Sequence, residues 1–73
     1  MRAWLMAIRV EKGLKKAEGA DRMKITRPYY IDIENGDRQM DMTYSMMEKL
    51  ASALDVPVSV IIDGEKEYVD TNG

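Results

Sequence analysis

The stretch "ITRPYYIDIENGDR", residues 25–38, gathers the side chains best suited to recognition chemistry. Arg27 carries only donors, Asp32 only acceptors, and the Tyr29 hydroxyl can do both. At helical spacing these three fall mostly on one face, while Tyr30 and Ile33 turn to another. Such a set can bind, but none of its members is an activated nucleophile. The chain has no cysteine and no histidine. That removes disulfides, thiolate zinc sites, cysteine or serine–histidine nucleophilic catalysis and histidine proton shuttles. Carboxylate-only acid–base chemistry is left, but 73 residues rarely enclose a substrate cleft. No acid–base or metal cluster can be assembled from the sequence. The expectation is a binding protein rather than an enzyme, with no cofactor.

The elements that position this face must come from one domain with one modest core, which is all that 73 residues allow. The apolar run at residues 3–8 is too short for a signal-peptide core or a membrane span, so a cytoplasmic location and no membrane partner are expected. The net charge of −2 hides a split: residues 1–38 carry a net of +3 and residues 39–73 a net of −5. A protein that binds a polyanion need not be basic overall if its positive charge lies on the contacting face.

Along the chain, "RAWLMAIRVEKG" sets Trp4, Leu5 and Ile8 on one side of an amphipathic helix that Gly13 ends. "LKKAEGADRM" gives a weaker second helix through Leu14, Ala17, Ala20 and Met23, in which Gly19 costs about 1 kcal/mol against alanine. After a tight connection, Thr26 offers an N-cap hydroxyl and Pro28 sits in a first turn where its missing N–H is no loss. Asn35 and Gly36 stop this third helix. Thr43 caps a fourth, with Tyr44, Met47, Leu50, Ala51 and Leu54 at helical spacing. The end is ambiguous. Pro57 can open a short helix at 58–62 closed by Gly64, but Asp63-Gly64 is also a hairpin signal that could pair 65–69 back. A helical turn followed by an extended tail is the reading preferred here. The expected architecture is all-α, a compact four- to five-helix bundle over residues 1–62 with a short extended tail over 63–73.

The pieces "RVEKGL", "ITRPYYIDIENGDR" and "LASALDVP", in that order and register, resemble the Cro/phage-repressor-type (XRE-like) helix-turn-helix family over residues 5–62. The resemblance implies a lambda-repressor-like bundle whose second helix positions the third in the major groove of double-stranded DNA. It matches Arg27, Pro28, Tyr29 and Asp32 to base-contacting positions, and Lys15, Lys16, Asn35 and Arg38 to phosphate-contacting ones. It also matches Arg9 and Glu34 to a buried ion pair that joins the first helix to the third. The departures cluster around the second helix. Gly19 stands where the family places leucine, and Met23, Met46 and Met47 are expected to fill the space. Lys24 replaces a turn glycine and must accept a positive φ. Lys15 stands for a serine or threonine cap, and the loop before the fourth helix is two residues longer than the commonest form. For any single one of Lys12, Lys15, Lys16 and Arg22, an ordinary solvated face is the plainer reading.

The function implied is a sequence-specific DNA-binding transcriptional regulator, a repressor, acting as a homodimer without a small-molecule ligand. The alternative is a protein-interaction or antitoxin-like accessory module on the same scaffold. The altered second helix, the acidic half and the apolar segment 58–62 motivate it.

Overall fold

In the computed structural model, which describes residues 1–72, the chain forms five helices: α1 (Ala3–Glu11), α2 (Lys16–Met23), α3 (Arg27–Asn35), α4 (Tyr44–Leu54) and α5 (Val58–Asn72). No strand occurs among the described residues. α2 packs on α3 and α4, α1 on α3 and α5, and α4 on α5. The buried apolar side chains come from every helix: Leu5, Ala20, Met23, Tyr30, Ile33, Leu50, Leu54 and Ile61 lie at its centre.

The helix ends follow from local chemistry. Thr26 Oγ1 accepts from the Tyr29 N–H at 3.3 Å, and Thr43 Oγ1 from the Met46 N–H at 3.1 Å, so both hydroxyls cap as their positions lead one to expect. Lysine has no acceptor to offer at the start of α2. There the Glu18 carboxylate reaches back to the Lys15 N–H at 2.9 Å and supplies half of a capping box. Lys24 takes the left-handed conformation at the end of α2, φ +58, which costs a side-chain-bearing residue roughly 1–2 kcal/mol. The turn between α2 and α3 is preserved despite the missing glycine.

Two expectations are corrected. The space over Gly19 is not left to methionine. A Cβ there would stand 3.1 Å from Tyr30 Cε1, and its three nearest neighbours would all belong to Tyr30, so the ring takes the place of the expected leucine. Met23 and Met46 are buried in the core, but none of their atoms is among the three nearest to that Cβ. The second correction concerns the C-terminus. Neither the extended tail nor the hairpin forms, because α5 runs unbroken through Gly64 to Asn72. Tertiary packing overrides the β-branched residues at its start. Ile61 is fully buried, and the Trp4 ring lies so close over Gly64 that a Cβ would come within 2.6 Å of it. Gly73, the last residue of the expected tail, lies outside the described residues.

α5 is also held by a charge. Arg2 is completely buried, and its guanidinium pairs with Glu65 through Nε to Oε1 at 2.8 Å and Nη2 to Oε2 at 3.0 Å. Arg2 Nη1 donates to the carbonyls of Ile33 at 2.6 Å and Arg38 at 3.0 Å, and Nη2 to that of Gln39. The Arg2 backbone N–H donates to the Glu34 carbonyl at 2.8 Å. One side chain thus joins the start of the chain, the end of α3, the following loop and α5.

Candidate nucleic-acid interface

α3 is built to be rigid and two-faced. Its inner face buries Tyr30, Ile33 and Glu34. Glu34 meets Arg9 of α1 in a two-pronged pair, Nε to Oε2 at 2.9 Å and Nη2 to Oε1 at 3.0 Å, while Arg9 Nη1 donates to the Leu14 carbonyl at 2.8 Å. The hydrogen bonds to Glu34 raise the Arg9 guanidinium above its ordinary range, against the opposing effect of burial. Tyr30 lies beside this pair. Burial first, and then the Glu34 charge, hold its phenol well above the usual tyrosine range.

The outer face begins at the N-terminus of α3. Arg27 and Pro28 stand exposed in the first turn, at the positive dipole end of the helix. At the other end Gly36 turns the chain at φ +88, its N–H donating to Ile33. Asp37 and Arg38 both donate their N–H groups to the Asp32 carbonyl, at 2.8 and 3.3 Å. The chain therefore doubles back along α3. Arg38 Nε comes 3.7 Å from Asp32 Oδ2, and its guanidinium lies over the Tyr29 ring, 5.5 Å from the centroid. Gln39 Nε2 donates to the Tyr29 hydroxyl at 2.8 Å.

The structure thus brings Tyr29, Asp32 and Arg38 together. Arg27 and Pro28 precede them on the same helix, and Asn35 is exposed at its last residue. Lys15 and Lys16 stand apart, at the start of α2, exposed and half-buried respectively. Lys12 and Arg22 are not simply solvated: Lys12 Nζ donates to the Asp55 carbonyl at 3.3 Å and Arg22 Nη1 to that of Ala53 at 3.1 Å, so both serve the end of α4. Gln39 was not singled out from the sequence, nor were Arg2 and Glu65. The one sequence signal bearing on Gln39 is the longer loop in which it lies. Among the described residues no group of histidine, cysteine, aspartate and glutamate is placed to hold a metal ion. None of the helices described is long and apolar enough to cross a membrane.

A short, doubly capped helix with a pinned inner face and a polar outer one, packed after a turn against α2, is the helix-turn-helix arrangement. A family model described as helix-turn-helix matches residues 5–61, well over half of the chain, and the protein belongs to that family, the Cro/phage-repressor type. It is also 44% identical over 45 residues to a curated protein of Bacillus subtilis (strain 168), the uncharacterized HTH-type transcriptional regulator YqaF. That similarity covers 62% of this chain and 59% of the relative's length, so it spans less than two thirds of that protein.

Proposed function

We propose that this protein is a sequence-specific DNA-binding transcriptional regulator, a repressor, that lays α3 in the major groove of double-stranded DNA. The observation that carries the reading is the division of α3. Tyr30, Ile33 and Glu34 fix it to the core, while Arg27 and Pro28 are exposed and Tyr29 and Asp32 half-buried, Tyr29 with part of its ring against the core. Arg27 is suited to guanine O6 and N7, Asp32 to a cytosine amino group, and Tyr29 and Pro28 to base edges or a thymine methyl. Asn35 and Arg38 at the end of that face, and Lys15 and Lys16 apart from it at the start of α2, are the phosphate contacts, so that residues 1–62 carry every proposed DNA contact. Two copies in the cytoplasm would read half-sites about 34 Å apart, with no small-molecule inducer. Selection of bound DNA from a randomised pool, followed by anisotropy at two salt concentrations, tests this. A symmetric enriched site with affinity that falls as salt rises is expected, and no enrichment with no salt dependence overturns it.

A second reading has one observation in its favour. An open hollow of about 410 Å³ lies between the loop before α4 and α5, lined in part by Met40, Met42, Met47, Ile62 and Val69. Met40 is 73% exposed. An adjustable methionine surface of this kind suits a protein partner. A tight protein complex together with no DNA affinity at low salt would favour that role instead.

A further inference from the structure

Tyr29 owes its setting to a residue outside α3. Gln39 reaches the Tyr29 hydroxyl from a left-handed backbone conformation, φ +56. A residue with a side chain holds that conformation where its surroundings over-determine it. Here they do. The Gln39 carbonyl accepts from Arg2 Nη2, and Arg2 is fully buried and locked by both oxygens of Glu65. Gln39 is therefore fixed through its backbone on one side and holds Tyr29 through its side chain on the other.

The chemical consequence concerns one proton. A phenol has a single O–H to give and lone pairs with which to accept. Because the Gln39 amide donates into the Tyr29 oxygen, the Tyr29 proton is directed away from Gln39. We propose that Gln39 is a specificity-setting positioning residue that makes Tyr29 a hydrogen-bond donor toward DNA. The base edge opposite Tyr29 must then present an acceptor, a purine N7, guanine O6 or thymine O4, rather than the amino group of cytosine or adenine. This rests on the DNA-binding reading above.

The test is selection of bound DNA by the full chain, comparing the unaltered protein with Y29F, Q39L, Q39G and Q39E. Q39G relieves the left-handed backbone while removing the amide, so it keeps the comparison valid if Q39L folds poorly. The unaltered protein is expected to enrich an acceptor-bearing base edge at one position of each half-site. Y29F, Q39L and Q39G should each lose roughly three- to tenfold discrimination there, with the other positions kept. The carboxylate of Q39E can only accept, so it should draw the Tyr29 proton inward and shift the preference toward an amino-bearing base. A merely structural role for Gln39 would not produce that reversal. The inference is overturned if the Gln39 variants leave the selected site unchanged. It is equally overturned if Y29F weakens all sequences alike, which would place the acceptor on a phosphate. If the unaltered protein enriches no sequence, the DNA-binding reading itself has failed.

Discussion

Asp32 puts a negative charge on the face proposed to meet a polyanion, and its neighbour Arg38 tempers it. The two side chains are 40% and 59% exposed at 3.7 Å. A pair so open to water contributes only about 0–1 kcal/mol, so Arg38 can exchange Asp32 for a phosphate at little cost. Asp32 then acts as a filter that repels sequences unable to offer it a donor. Asp32→Asn should raise affinity for unselected DNA several-fold and narrow the gap to the selected site, as read by anisotropy on both. An unchanged ratio would remove the filter role. Tyr30 carries the pH dependence. Its phenol is held above the ordinary range in the folded state, chiefly by burial. Its stabilising contribution is thus complete below the unfolded value of about 10 and is lost as pH rises from there toward the folded value. Melts should show stability falling above about pH 10, and Tyr30→Phe should flatten that fall. If the phenylalanine variant loses stability as steeply, another group governs the alkaline limit.

At the level of the helices, α3 is fastened by what surrounds its two buried arginines. Both hold its last turn: Arg9 through the Glu34 carboxylate, and Arg2 through the Ile33 and Glu34 carbonyls. Removing one member of a buried pair strands the other charge, at a cost of about 3–5 kcal/mol, whereas replacing both by apolar groups can be nearly neutral. Arg9→Ala should therefore lower Tm by more than about 12 °C in a chain of this size. The double change Arg9→Met with Glu34→Leu should recover most of the loss, and a single variant that melts like the unaltered protein would remove the pair from the stability argument. The limits of α3 were legible in the sequence because Thr26, Pro28 and Asn35-Gly36 act on their immediate neighbours. α5 was not legible for the converse reason. Its local signals, a β-branched run and Asp63-Gly64, favour other conformations, and what decides it is the Trp4 ring on Gly64 and Arg2 on Glu65, pairs separated by 60 and 63 positions in the chain. The outward face of α3 could likewise be listed from spacing alone. The return of Arg38 and Gln39 over it depends on the left-handed turn at Gly36, which the sequence signals, and on a buried arginine near the start of the chain, which has no pattern in the sequence.

For the molecule as a whole, the family match over residues 5–61 contains all of α3 but omits both Arg2 and Glu65. The brace they form is thus built from the two ends of the chain, outside the matched segment, and it closes around the loop that follows α3. Tyr68 of α5 adds to it, with the Arg2 guanidinium 5.2 Å from its ring centroid and its hydroxyl so near Gly36 that a Cβ there would lie 2.5 Å away. A chain cut after Ile62 keeps every residue proposed to touch DNA, and it loses Glu65 and Tyr68 together. Arg2 would then be left to choose between a buried, uncompensated charge and withdrawal into water, which frees the carbonyls of Ile33, Arg38 and Gln39. The chain of residues 1–62 should accordingly retain helical circular dichroism but melt without a sharp transition. The 73-residue chain with Glu65→Gln, which keeps the shape and loses the charge, should fall between the two. A truncated chain that melts cooperatively within a few degrees of the full one would show that α2, α3 and α4 hold the recognition helix unaided, and that the brace between the two ends is dispensable.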